Sequence, residues 1–140
     1  MTHAASLSLA ILSVLLCACT NLPERALIPV PPAALPEGWQ RVAMDTPPLA
    51  EIPATLAALH PTHRVRASYR RQSSTLAVDA YAMSSQAVAF EAQQTWRNQP
   101  GSIVFHHRNI FVICTAAAEP TSALAALSKN LEDAWLGGRR

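Results

Sequence analysis

The sequence predicts an α+β domain in which a four-stranded antiparallel sheet carries two helices on one face. Apolar residues recur first with the period of two that is typical of strands and then with the period near 3.6 that is typical of helices. This succession occurs twice within residues 64–136. The resulting order is strand, strand, helix, repeated once. Two such ββα units combine most simply into one sheet with its helices packed against one side.

The first hairpin begins with a strand of alternating character. Arg64, Arg66 and Ser68 alternate with apolar neighbours, which is the pattern of a half-buried strand. A polar turn follows over 70–73, and the second strand is predicted over 75–83. Apolar residues occur on both faces of this second strand, so we expect either a bulge or a strand that is covered on two sides.

A helix follows each hairpin. The first is predicted to begin at Ser84 or Ser85, which are N-cap residue types, and to run to about Arg97. The second is predicted to begin at Pro120, since proline is favoured in the first turn of a helix. Its apolar residues recur at i, i+3, i+7 and i+11, the best amphipathic pattern in the chain. They are Leu124, Leu127, Leu131 and Trp135.

The second hairpin lies between these helices. Its strands are predicted over 102–105 and 110–115. Ile110–Cys114 is apolar at every position, which is typical of a strand that is covered on both faces or is central in its sheet. Cys114 is expected to be a small buried hydrophobic residue, with a disulfide to a partner as the alternative. A short helix over 52–59 is predicted to precede both hairpins.

Two segments are expected to precede the domain. Residues 1–18 are predicted to be a signal peptide, because the apolar run Leu7–Ala18 is shorter than the roughly 20 residues that span a bilayer. Residues 19–36 are rich in proline, which fixes φ and favours an extended tether. The composition changes near Trp39, and residues 37–140 are predicted to form a single small domain.

The signal peptide ends in Leu16–Cys19, a Leu and two small residues before a Cys. This tetrapeptide resembles the lipobox of bacterial lipoproteins. The resemblance implies that Cys19 becomes the N-terminus of the mature protein and carries the lipid anchor, palmitate included. In that family a residue other than Asp after the Cys directs the protein to the outer membrane, so Thr20 implies an outer-membrane lipoprotein that faces the periplasm. The outer leaflet of the inner membrane is the alternative location.

A second resemblance covers the two predicted hairpins and helices. Arg64–Leu136 is loosely similar to a ββα-ββα unit of uncharacterised secreted bacterial proteins. The similarity rests on a strand that ends in Tyr81–Met83, a Ser-capped helix, a hairpin and a closing helix. It implies a fold and no catalytic residues.

Motifs for catalysis are missing from the sequence. There is no Gly-x-Ser-x-Gly elbow, no reactive-cysteine signature and no glycine-rich phosphate loop. The formal net charge is only +2, and nucleic-acid binding requires basic residues gathered on one face. We therefore expect a protein that is not an enzyme, holds no cofactor and binds no nucleic acid.

Three histidines are the candidates for a metal site: His60, His63 and His107. Zinc requires three or four ligands that converge on one point. Pro61 separates the first two histidines, and His107 lies in a predicted hairpin turn next to His106. Incidental polar residues in turns are therefore the preferred interpretation, and a metal site is the alternative.

A group of arginines and aromatic residues is the candidate surface for a partner. The arginines are expected on the outer face and turn of the first hairpin, where charge deters unwanted strand pairing. The alternative is a basic patch that docks on anionic lipid, peptidoglycan or an acidic protein. The candidates are Arg64, Arg66, Arg70, Arg71, Tyr81 and Phe90.

The predicted function is that of a lipid-anchored accessory protein of the cell envelope. Its partners are expected to be the membrane, through the lipid on Cys19, and another envelope protein of a secretion, transport or assembly system. The alternative function is a periplasmic module that binds a small molecule or a metal.

Overall fold

The computed structural model describes residues 27–137. Its strands form one antiparallel sheet in the order β1-β2-β3-β4-β6-β5. The strands are β1 (Ala34–Leu35), β2 (Trp39–Asp45), β3 (His63–Arg71), β4 (Ser74–Ala82), β5 (Ser102–His107) and β6 (Ile110–Thr115). The α-helices are α1 (Ala54–Ala57), α2 (Gln86–Thr95) and α3 (Thr121–Trp135), and single 3-10 turns occur at Pro36–Gly38 and Leu49–Glu51.

The predicted α+β class is confirmed, but the predicted four-stranded sheet is wrong because the sheet has six strands. The two additional strands, β1 and β2, extend the sheet beyond β3. Glu37 and Gly38 have φ of 63° and 83°, and this left-handed pair reverses the chain between the two strands. In β2 only Trp39 is buried. The strand therefore lacks the apolar alternation by which strands are recognised in a sequence.

The two long helices lie on opposite faces of the sheet, so the prediction that both share one face is also wrong. Buried residues of α3 belong to a group that we name the α3 cluster, which includes Leu131 and Val112. Buried residues of α2 belong to the α2 cluster, which includes Ala92 and Phe111. Successive side chains of a strand point to opposite faces, so Phe111 and Val112 separate the two clusters within β6.

This arrangement explains the apolar run that the sequence contains at β6. Ile110, Val112 and Cys114 face the α3 cluster, while Phe111 and Ile113 face the α2 cluster. The prediction that this strand is covered on both faces is confirmed. The sheet is also curled, because α3 contacts both β1 and β5, which lie at its two edges.

The ends of the helices agree with the sequence signals. Ser85 is the N-cap of α2, and its hydroxyl accepts a hydrogen bond from the backbone N–H of Val88 over 3.2 Å. Pro120 precedes the first residue of α3 in an extended conformation. After α3, a side chain at Gly137 would meet the carbonyl oxygen of Asp133 at 2.8 Å, so the tight turn requires a glycine there.

The proline-rich segment is part of the folded domain as far back as Ile28. Ile28, Pro31 and Leu35 are buried, and Ile28 and Leu35 belong to the α3 cluster. The expected domain boundary at residue 37 is therefore corrected, because the domain begins no later than Ile28. The part of the chain that is available for a free tether is therefore shorter than the predicted 19–36.

Backbone carbonyl groups hold this segment in place. The indole N–H of Trp135 donates to the carbonyl of Pro29 over 2.9 Å, and the hydroxyl of Tyr69 donates to the carbonyl of Pro32 over 2.9 Å. Arg41 also donates to the carbonyl of Pro31. Proline lacks an N–H, so its carbonyl is the one backbone group that it can offer to a partner.

Candidate interaction surface

Two arginines of β3 share a single carboxylate on the α2 side of the sheet. Arg64 Nη2 lies 2.8 Å from Asp79 Oδ1, and Arg66 donates to both oxygens of Asp79 over 3.0 Å. Register places these side chains together, since Arg66 is directly opposite Asp79 across β3 and β4. Arg64 is only 6% exposed, and its guanidinium lies 5.5 Å from the centre of the Tyr81 ring.

Charge and burial shift the ionisation of this group. The hydrogen bond to Asp79 is the largest cause of a raised pKa for Arg66, which keeps that guanidinium charged. Burial is the largest cause of a raised pKa for Tyr81, so its hydroxyl stays protonated at neutral pH. Arg64 and Tyr81, both expected on a binding surface, are buried. Their side chains therefore offer little surface to a partner.

The remaining two arginines of the predicted patch point to different faces. Arg71 follows Tyr69 on the α3 side and forms ion pairs of 3.0 Å with Glu37 and Glu119. Its guanidinium lies 4.7 Å from the centre of the Trp39 ring. Arg70 is exposed on the other side of β3. The expected basic patch therefore does not form as one surface, because strand alternation separates its members and acidic residues pair with three of them.

The predicted metal ligands do not converge. Within residues 27–137, no group of three His, Cys, Asp or Glu side chains is placed to hold a metal ion. His63 and His107 belong to the same row of paired residues across the sheet, but β4 and β6 lie between their strands. At about 4.8 Å per strand, this row separates their backbones by about 14 Å. His107 instead lies 3.6 Å from Glu132 of α3.

Phe90 is the predicted partner residue with an exposed apolar side chain. It lies on α2, is 51% exposed, and its ring centre is 5.5 Å from that of His106 in an edge-on arrangement. His106 Nδ1 is also hydrogen bonded to Gln93 Oε1. These contacts fasten α2 to β5 and leave one side of the Phe90 ring accessible.

The outer edge of β2 is a feature that sequence reasoning missed. β1 pairs with β2 only at Trp39 and Gln40. Among the described residues, no strand pairs with the outer edge of residues 42–45. Val42 and Met44 are 53% and 47% exposed, and a bulge lies between Arg41 and Ala43. Apolar side chains and open backbone groups therefore occur together on this edge.

A cavity of about 380 Å³ lies between the loop before α1 and the end of α2. Trp96 lines it, and the indole N–H of Trp96 is buried with no hydrogen-bond partner within the described part of the chain. Trp96 lies within the helix that the sequence predicts up to about Arg97, and no sequence pattern indicates a cavity beside it. Its lining is formed by Pro53, Thr55, Thr95, Trp96, Arg97 and Gln99.

Cys114 is buried in the α3 cluster, as the sequence predicts. Burial is the main cause that raises the pKa of its thiol to about 12, and the negative charge of Asp79 adds to the effect. A protonated, inaccessible thiol neither attacks a substrate nor pairs with a partner at neutral pH.

No protein-family model, curated protein or solved structure matches this chain. The predicted signal peptide and Cys19 lie outside the described residues. From residue 27 to residue 137, no helix is long and apolar enough to cross a membrane.

Proposed function

We propose that this protein is a lipid-anchored accessory protein of the cell envelope that binds another envelope protein without catalysing a reaction. The anchor is the lipid on Cys19, which the lipobox-like Leu16–Cys19 supports. The outer membrane, with the domain facing the periplasm, is the proposed location. The partner belongs to a secretion, transport or assembly system.

The observation that carries the binding role is the open edge of β2. An exposed edge strand offers unpaired N–H and C=O groups, and a partner that adds an extended strand satisfies them. Val42 and Met44 supply apolar contact for alternate side chains of such a strand. At the opposite edge, β5 contacts both α2 and α3, so helices cover the faces of that strand, whereas Val42 and Met44 of β2 are exposed.

The charges at the ends of this edge favour a specific partner over self-association. Arg41 and Asp45 flank the exposed apolar pair. Charged side chains and bulges on an edge strand discourage pairing between identical copies. A partner strand with complementary charges would align with this edge in one register.

Photocrosslinking in intact cells tests the binding role. A photoreactive amino acid at Met44 is expected to crosslink one defined envelope protein. The matched control is the same amino acid at Arg70, which is exposed on the sheet surface rather than at its edge. Equal yields at the two positions, or no product at Met44, would contradict binding through β2.

The anchor has a test of its own. The intact mass of protein extracted from membranes is expected to show cleavage before Cys19 and addition of acyl chains. Cys19→Ala is expected to release the protein from the membrane fraction. An unmodified Cys19 in the extracted protein would exclude the lipoprotein assignment.

The cavity beside Trp96 supports a second candidate, a periplasmic module that binds a small molecule. Its volume is within the range of about 300–1,000 Å³ that is common for ligand sites. The lining is mainly apolar, with Arg97 as the cationic group. Small aromatic carboxylates are expected to raise the melting temperature of the domain and to have no effect on Arg97→Ala. A screen in which no such compound shifts the melting temperature would remove this candidate.

A further inference from the structure

The segment of residues 27–33 has one apolar edge that faces away from the domain. Burial along it repeats every three residues. Ile28 and Pro31 are buried, whereas Leu27 and Val30 are 79% and 68% exposed. Three residues per turn is the period of a polyproline II helix, in which residues three apart lie on the same edge. Leu27 and Val30 therefore form a continuous stripe, which we name the Leu27 stripe.

The position of the Leu27 stripe on the domain is fixed. Prolines at 29, 31 and 32 restrict φ. Hydrogen bonds from Trp135 and Tyr69 attach the segment to α3 and to β3. The buried side chain of Ile28 faces the α3 cluster, so Leu27 and Val30 face outward. A stripe that is both apolar and held outward is available to a partner from outside the domain.

The length of chain before Leu27 limits how far the stripe can lie from Cys19. Residues 20–26 connect Cys19 to the stripe. Fully extended, eight residue steps span about 26–29 Å, and a flexible chain of this length averages about 15 Å. The radius of gyration expected for a domain of this size is about 13 Å. A lipid on Cys19 would therefore keep the stripe within a distance of the bilayer that is comparable to the size of the domain.

We infer that the Leu27 stripe docks on the lipid bilayer and that Leu27 and Val30 insert among the lipid headgroups. The inference rests on the proposed acylation of Cys19, because the short connection makes contact with the membrane intramolecular and raises its effective concentration. Apolar side chains favour the boundary between headgroups and acyl chains. The segment lies on the α3 side of the sheet, so Phe90 and the α2 side face away from the membrane.

Spin labels test this orientation in the full, acylated protein. Nitroxide labels are attached to Leu27→Cys, Val30→Cys or Phe90→Cys, the last being the control on α2. Labelling is selective because acylation occupies the sulfur of Cys19 and Cys114 is buried. The protein is reconstituted in vesicles of phosphatidylethanolamine and phosphatidylglycerol. Collision rates are then measured with oxygen, which concentrates in lipid, and with a water-soluble nickel chelate.

Labels at Leu27 and Val30 are expected to collide more with oxygen than with nickel, and the Phe90 label is expected to show the reverse. If all three labels favour nickel, the stripe faces water and the inference is overturned. If the two stripe labels are shielded from both reagents, a protein covers the stripe, which also overturns it. The intact mass reports acylation separately. An acylated protein with water-exposed labels contradicts only the docking, whereas an unacylated Cys19 contradicts the proposed function as well.

Discussion

Asp79 is the carboxylate that compensates the charges of two arginines on the α2 side of the sheet. It lies between Arg64, which is buried, and Arg66, which is half exposed. Removing one partner of a buried ion pair costs about 3–5 kcal/mol, because the other charge is left without compensation. We therefore expect Asp79→Asn to lower the free energy of unfolding by about that amount, as measured by urea denaturation.

Arg66→Ala is the matched control for this change. It removes the ion pair between Asp79 and the more exposed of its two arginines. Solvent-exposed ion pairs contribute about 0–1 kcal/mol to the free energy of unfolding. Arg64 retains its partner in this variant. Equal losses for Asp79→Asn and Arg66→Ala would show that the burial of Arg64 is energetically unimportant.

Alkaline pH is expected to destabilise the domain through Cys114. Folding raises the pKa of its thiol from 9.0 to about 12, so the unfolded chain loses this proton first. The stabilisation is complete below pH 9 and is lost progressively as the pH rises from 9 to about 12. Burial likewise raises the pKa of Tyr69 from 10.0 to about 12.

These two pKa values separate the effects of the thiol and the phenol. In the wild type, the free energy of unfolding should begin to fall near pH 9, whereas in Cys114→Ala the fall should begin near pH 10. The onset, rather than the absolute stability, is the quantity to compare, since the shorter side chain also leaves a cavity. Denaturation at a series of pH values measures it. An unchanged onset in the variant would assign the alkaline transition to another group.

At the scale of the elements, the segment from Ile28 to Leu35 determines where the domain begins. Burying an apolar side chain of this size contributes about 1.5–3 kcal/mol, so Ile28 and Leu35 together contribute about 3–6 kcal/mol. A chain that begins at residue 37 should be less stable than the mature chain by about this amount in urea denaturation. A chain that begins at residue 27 is the control and should retain full stability. If the mature chain and both shortened chains were equally stable, the prediction of a free tether up to residue 36 would be correct after all.

The elements that the sequence predicts well are those whose own residues carry a clear apolar pattern. The closing helix is amphipathic over several turns, and Ile110–Cys114 is apolar throughout, so both were identified. β1 and β2 contain few buried residues and depend on pairing with β3. The proline-rich segment is ambiguous for another reason. The same prolines suit a free tether and a docked segment, and residues 27–33 contain no polar side chain, so the sequence does not distinguish a buried edge from an exposed one.

The candidate sites follow the same division. Strand alternation places Arg64 and Arg66 on one face, but their common partner Asp79 depends on the register of β3 and β4. The open edge of β2 depends on how far β1 pairs with it. Exposure of an edge is a property of neighbouring strands, so a single strand's sequence does not contain it.

At the scale of the whole molecule, one sheet serves two cores. Tyr81 and Met83 belong to the α2 cluster, while Val78 and Ala80 belong to the α3 cluster. The sequence predicts either a bulge or a strand that is covered on two sides, and β4 is covered on two sides without a bulge. The helices lie on opposite faces because each apolar face of β4 and β6 must be covered, and one layer of helices covers only one of them.

The curled sheet makes α3 the element that both edges depend on. Leu131 is fully buried in the α3 cluster, and α3 contacts β1 at one edge and β5 at the other. Truncating a buried leucine costs about 2–5 kcal/mol. We expect Leu131→Ala to accelerate hydrogen exchange in β1, β2 and β5 together.

Leu56→Ala is the control of equal chemistry on the other side of the sheet. Leu56 is as deeply buried but belongs to the α2 cluster through α1. Its loss should accelerate exchange in α1 and leave the β1 edge protected, because no buried residue of β1 or β2 belongs to that cluster. If Leu131→Ala affected β5 alone, the two edges would be independent of each other. Exchange that increases at both edges only when α3 is altered would show that this helix closes the curl of the sheet.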